Sequence, residues 1–486
     1  MDDHPYLRRL CDGTVKQLSP FTGTEVWTVP GRANRPLRLP QVEVRPLSPH
    51  MHTHTCAFCS GRYLETPPEY ARIVRFAAVK DDGAGSGNAG ARTNAGAGTN
   101  AGAAAFGADT EAANAKAAAS ADAGAGDTWH TFFGLLPEYL NQSVADFRRI
   151  PNLFEILPFN YWQANYGFKL PERCRDRLEN YLADAAGYEH LRAIVSAKLR
   201  ASGAGDAEIS ELNLGDIRRH SAGFFGGSHD VLVARRHWRD DAVDTTGLAG
   251  SATLSVSEHR VWTQWAVNAM HAQYLQNKHV KYVAVFQNWL RPAGASFDHL
   301  HKQVVGVDSL GASLQAEIAR VNANGNIYRD FVDWAYRAGL VVAANDGAVA
   351  LAGVGHRYPS LEVYSTGPVS EPWLMEPEQV DAVSDLVHAL HQATGTQVPL
   401  NEEWHYRAPG VAKEMPWRVV LKWRVSTLAG FEGATKIYLN TIDPRSLRER
   451  VVRELEQLRA SKAGALAPGI RIGDECEQPY LQYGRA

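Results

Sequence analysis

The segment best suited to chemistry is His299-Leu300-His301-Lys302-Gln303, two histidines and a glutamine at alternate positions. On an extended strand alternate side chains share a face, so His299, His301 and Gln303 are expected to point the same way. A neutral imidazole is a nucleophile, and an amide beside it can hydrogen-bond an oxyanion while serving poorly as an acid or base for water. Alone, the histidine pair reads equally well as chance surface placement. Its upstream neighbours favour chemistry: Phe286-Gln287-Asn288 ends a strand, and Gly294-Ala295-Ser296 makes a loop that brings a hydroxyl beside the histidines. A second signal is Cys56-Ala57-Phe58-Cys59, followed by Ser60-Gly61 and Thr66-Pro67-Pro68-Glu69. Two thiolates at this spacing grip a tetrahedral ion, but a closed zinc site needs two further ligands. The rival is a redox pair, which usually opens a helix after a strand. Here the pair sits in a turn rich in Gly and Pro, so zinc is favoured if histidines elsewhere complete the site.

The elements around these residues are only partly legible. Ser257 to Gln276 reads as a helix, with Trp262, Trp265, Ala266 and Ala269 on one face. Tyr282-Val283-Ala284-Val285-Phe286 reads as a strand, a second strand starts near His299, and Trp27-Thr28-Val29 reads as a short one. A last helix is expected around Ser446–Ser461. His50-Met51-His52-Thr53-His54 lacks apolar flanks and reads as a solvated turn. Residues 81–128 are almost wholly Gly, Ala, Asn, Thr and Asp, too poor in large apolar side chains to offset ordering, and read as a disordered insertion. Helices do not alternate strictly with strands, which points to an α+β class with antiparallel sheets. With 486 residues, 45% of them hydrophobic, the chain can form two lobes, 1–306 and 307–486. A net charge of -3 gives no sign of a general nucleic-acid binder or a membrane-surface protein. No apolar run approaches the roughly 20 residues of a membrane helix. The start, Met1-Asp2-Asp3-His4-Pro5, lacks signal-peptide features, and the five cysteines are odd in number. A cytoplasmic protein is expected.

In order and spacing, these segments resemble the galactose-1-phosphate uridylyltransferase family, a branch of the histidine-triad superfamily. The match begins at Ser19-Pro20-Phe21-Thr22-Gly23-Thr24-Glu25-Val26-Trp27 and Pro30-Gly31-Arg32-Ala33-Asn34-Arg35-Pro36. It continues through Cys56 and Cys59, Thr66–Glu69, Pro151-Asn152-Leu153-Phe154, and Gly227-Ser228-His229-Asp230-Val231 with His237. It ends on Phe286, Asn288, Ser296, His299, His301 and Gln303. The resemblance implies two histidine-triad-like lobes, with antiparallel sheets and flanking helices, working as a homodimer.

It also implies roles. Cys56, Cys59, His237 and His299 would hold one structural zinc. His301 would attack the α-phosphorus of a nucleotide sugar, with Gln303 and Ser296 donating to the phosphoryl oxygens. Arg32 and Arg35 would neutralise phosphates, and Asn152 and Asn288 would line the nucleoside pocket. In the second lobe Glu317 and Trp404-His405 match the family's second metal site, but Val420-Leu421-Lys422 replaces its His-x-His, which makes a second metal doubtful. The acceptor segment keeps Gly430 and Glu432, yet Ser426 stands where a lysine is usual; Lys422 or Lys436 are the available substitutes. Leu153 stands where an acidic residue is common. The expected activity is therefore nucleotidyl transfer between a nucleotide sugar and a sugar phosphate. A phosphorylase using inorganic phosphate, or a zinc-stabilised nucleotide-binding protein without turnover, are the alternatives.

Overall fold

A computed structural model describes residues 3–31, 43–77, 127–461 and 465–483. Seventeen strands, numbered along the chain, form two sheets among these residues. The smaller sheet joins β1 (Asp3–His4), β2 (Leu7–Arg9), β3 (Val15–Leu18) and β4 (Glu25–Thr28) to β16 (Ile437–Leu439), and its β4–β16 pair is parallel. Phe21, beyond β3, stacks on Tyr328 with ring centroids 4.7 Å apart, so the N-terminal strands are built into the core of the second half.

The larger sheet has twelve strands, antiparallel throughout. Its second-half portion runs β17 (Arg471–Ile472), β11 (Val341–Ala344), β12 (Ala348–Ala352), β13 (Ser360–Ser365), β15 (Arg418–Trp423) and β14 (Leu400–His405). The order continues without a break through β9 (Tyr282–Trp289), β10 (His301–Val307), β8 (His229–Ala234), β7 (Phe147–Pro151), β5 (Ala71–Ala77) and β6 (Asp127–Phe133). The junction between the halves is the β9–β14 ladder, with Leu400 opposite Trp289 and Asn401 opposite Asn288.

One face of this sheet is covered by the helices Val256–Gln276 and Pro377–Thr394. Ser255 starts the first of these with a capping box, its hydroxyl accepting from the Glu258 N–H while Glu258 accepts from the Ser255 N–H. Trp262, Trp265, Ala266 and Ala269 are all buried, as their spacing requires. They meet Val283, Val285, Val304, Leu400 and Leu421 from the sheet. Because opposed residues in an antiparallel ladder share a face, the alternate set lies on the other side: His229, Gln303, Phe286, Asn288, Asn401 and Glu403. His301 and Lys422 belong to the same side, since His301 is opposite Val233 and Lys422 opposite Asn401.

The strand near His299 begins in the ladder at His301, and Val29 lies outside β4. The histidine-rich stretch is a short helix, Met51–His54, in which His50 and His54 stack at 4.0 Å. Residues 78–126 are outside the described residues, but Asp127 and Thr128, read from composition as part of the insertion, belong to β6. Pairing with β5 outweighs the poor strand preference of Asp127, and Thr128 favours a strand. No helix among the described residues is long and apolar enough to cross a membrane.

Candidate active site

The cysteine knuckle lies between the Met51–His54 helix and the tight turn Ser60–Glu65. His237 follows β8 and His299 precedes β10, and both imidazoles reach the knuckle. Cys56 Sγ is 3.4 Å from Nδ1 of His237 and 3.4 Å from Nδ1 of His299. The corresponding distances from Cys59 Sγ are 3.7 and 3.8 Å, and the two sulfurs are 3.8 Å apart. All four ligand atoms lie within 4.8 Å of one another, a cluster able to hold a metal ion. Nε2–H of His299 donates to the Ala234 carbonyl at 2.7 Å, which fixes the ring and leaves the Nδ1 lone pair facing the sulfurs. The thiols share a hydrogen bond that pulls Cys59 well below its ordinary range, aided by His237 and His299, while holding Cys56 up.

His301 is held by the same segment. Its Nδ1–H donates to the backbone carbonyl of His299 at 2.7 Å, so Nε2 carries the free lone pair. Burial pushes its pKa down to about 4, and the side chain is 5% exposed. Phe58, between the two cysteines, covers it with ring centroids 5.4 Å apart. Phe58 had no role in the sequence reading, where the intervening residues of the motif look interchangeable.

Gln303 Oε1 lies 2.9 Å from Nε2 of His229, and the Asn152 amide nitrogen is 3.0 Å from that same imidazole nitrogen. The structure thus brings Asn152, Gln303 and His301 to one side of the sheet, and adds His229, which the sequence showed only as part of a matched segment. Asn288 meets Asn401, whose Nδ2 donates to Asn288 Oδ1 at 2.7 Å. Ser296 is exposed in the loop after Gly294, whose φ of 91° favours glycine. Arg32 and Arg35 lie outside the described residues. Glu432 is placed as a helix cap: its carboxylate accepts the Ala429 N–H at 3.0 Å and the residue is buried. Of the two substitute lysines, Lys436 donates to the Gly433 carbonyl at 2.9 Å and Lys422 pairs with Glu403 at 2.5 Å.

In the second half the residues matched to a second metal site do not assemble as one. Glu317 is closed by the Arg418 guanidinium at 2.9 Å and by the Tyr328 hydroxyl at 2.6 Å. Arg418 also reaches Glu362 at 3.1 Å, and His405 lies 3.7 Å from Glu403. The only metal-sized cluster among the described residues is that of Cys56, Cys59, His237 and His299. Between the two centres a cavity of 620 Å³ opens over the β9–β14 junction, lined by Phe286, Asn288, Asn401, Glu403, His405 and Arg424 among others.

This architecture is shared with solved structures of low sequence identity. An ADP-glucose phosphorylase from Arabidopsis thaliana, solved with bound ADP-glucose, is 16% identical with a TM-score of 0.51. The match covers 90% of this chain and 97% of that one. A galt-like protein from the same organism is 14% identical over the same shares, with a TM-score of 0.50. These likenesses establish the mixed α+β fold, which joins the galt-like protein and the phosphorylase alike. No curated protein matches the chain in sequence. The family model described as "Domain of unknown function (DUF4921)" matches residues 10–483, and the chain therefore belongs to that family.

Proposed function

We propose that the chain is a nucleotidyltransferase that takes a nucleoside monophosphate from a nucleotide sugar onto His301. The observation that carries this reading is the 2.7 Å hydrogen bond from His301 Nδ1–H to the His299 carbonyl, which leaves Nε2 as the nucleophilic atom. Nε2 forms a bond to the α-phosphorus, the bond from that phosphorus to the bridging oxygen breaks, and a sugar 1-phosphate leaves. In the second half-reaction an acceptor phosphate oxygen attacks the same phosphorus and the phosphorus–nitrogen bond breaks. Gln303 and Asn288 supply amide donors to the phosphoryl oxygens, and Asn152 supports the nucleoside side. Arg32, Arg35 and Ser296 complete the phosphate contacts in this reading, which assigns nucleotide handling to 1–306 and acceptor handling to 307–486.

The donor set of Cys56, Cys59, His237 and His299 fits zinc, two thiolates and two imidazoles with no fifth position needed. Zinc bound there supplies structural tethering, holding the chain at His299 from which His301 takes its orientation. Glu317 and His405 do not fit a second metal, because Arg418 already closes the Glu317 carboxylate.

Inorganic phosphate is a second acceptor to test beside a hexose 1-phosphate. Glu432 is committed to its helix cap and Ser426 carries no charge, which weakens the case for a uridylyltransferase acceptor segment. The test is intact-protein mass after incubation with UDP-glucose and ADP-glucose, followed by discharge with galactose 1-phosphate, glucose 1-phosphate or inorganic phosphate. A nucleotidyl adduct that is lost in His301→Ala is expected. An adduct that persists in that variant moves the nucleophile elsewhere.

A further inference from the structure

Asn288 shares the sheet face of the nucleophile, and an amide can help or harm a phosphoryl group depending on which end it presents. The surrounding partners settle that choice by what each can do. Arg424 can only donate, and its Nη1 lies 2.7 Å from Asn401 Oδ1. The Ala293 carbonyl can only accept, and Asn401 Nδ2 lies 2.8 Å from it. The orientation of Asn401 is therefore fixed at both ends. Its Nδ2 also faces Asn288 at 2.7 Å, so the contacting atom of Asn288 is its oxygen and its N–H groups turn away toward the cavity.

Asn401 lies on β14 of the second half and Asn288 on β9 of the first, and His301 is on the same face of the sheet.

We propose that Asn401 and Arg424 are positioning residues that lock Asn288 with its N–H groups toward a phosphoryl group. The proposal rests on the His301 reading for the identity of that group. It goes further in naming what decides which end of the Asn288 amide the site presents. It also assigns the second half a part in the nucleotide half-reaction, through Asn401 and Arg424.

The test is a double-substitution cycle on Asn401 and Asn288. Asn401→Asp keeps an oxygen for Arg424 but removes the N–H that fixes Asn288. The nucleotidylation rate should fall about a hundredfold, the scale for losing one oxyanion donor. In an Asn288→Ala background the same change should have no further effect. Thermal melting of each variant reports folding separately, and a purely structural role would give losses that multiply in the double variant. Multiplying losses overturn the proposal. If the wild-type chain forms no adduct, the His301 reading fails, and the same cycle is read as equilibrium binding of UDP and ADP by calorimetry. Coupling there upholds the amide assignment, whereas multiplying losses or no binding of either nucleotide overturns it.

Discussion

The two halves place polar clusters on the same face of one sheet, yet they close them differently. In the first, two thiols and two imidazoles converge with their lone pairs inward, an arrangement with no cation of its own. In the second, Arg418 lies between Glu317 and Glu362, and Lys422 sits on Glu403, so the chain supplies both signs. With the proposed zinc bound, the first arrangement would draw its cation from outside the chain and hold the His299 backbone on which His301 rests. The second is complete when the chain folds and is free of metal supply. A buried carboxylate needs a cation whichever way it comes, since leaving it unpaired is far costlier than pairing it.

The largest effect expected from this contrast is at the first centre. His301→Ala should abolish adduct formation, a loss of about 10⁴-fold or more, while melting temperature and zinc content stay as in the wild type. Loss of zinc together with the adduct would merge nucleophile and metal centre into one function. Next, purified protein should carry about one zinc per chain. Cys56→Ser with His299→Ala should lose it and melt earlier; Glu317→Gln should leave zinc content unchanged. Zinc lost on Glu317→Gln would mean that the second half binds metal after all. Arg418→Met should destabilise by about 3–5 kcal/mol, since it removes the buried cation that Glu317 and Glu362 share. Recovery of that stability on adding zinc would erase the distinction between the halves.

A smaller effect follows from pH. Burial alone would raise the Glu362 carboxyl, but His356 and Arg418 pull it down to about 2. A depressed carboxyl stabilises the fold above its unfolded pKa, near 4.5, and loses that contribution as pH falls toward 2. The second half should therefore weaken in acid by about 3 kcal/mol through this group, seen as a steeper fall in urea midpoint than in Glu362→Gln. Equal acid sensitivity in both proteins would remove Glu362 from the account. The smallest effect is expected for replacing 78–126 by a two-residue turn. Ala77 lies opposite Asp127, so the hairpin of β5 and β6 can close directly, and activity and melting should change little. A large drop in either would show that the segment contributes contacts or binding.

Local spacing carried part of the first centre, while His237 and His299 as its further ligands came from the family resemblance. Cys56 and Cys59 define a knuckle, alternation puts Gln303 beside His301, and a capping box and tryptophan spacing mark the Val256–Gln276 helix. What it left out depends on strand neighbours far apart in the chain. Asn401 meets Asn288 across 113 positions and His229 meets Gln303 across 74, and neither pairing has a local signature. Arg418 was unreadable for the same reason, because its meaning comes from Glu317, 101 positions away. Glu432 is a different case: a residue that the resemblance matched to an acceptor role sits at the third position of a short helix, where its carboxylate serves the backbone.

The unbroken β9–β14 ladder also constrains how molecules come and go. Four residue pairs, from Leu400–Trp289 to Glu403–Phe286, stitch the halves through backbone hydrogen bonds at the floor of the cavity. A hinged, clamshell opening of one half from the other would have to unzip them, and with them the amide relay anchored on Asn401. For the proposed reaction, traffic must then be a matter of doors rather than walls: ring flips of Phe58 and loop rearrangements above the sheet, with the vessel itself keeping its shape between the two half-reactions. In hydrogen–deuterium exchange, the ladder amides should be released only when the whole molecule unfolds.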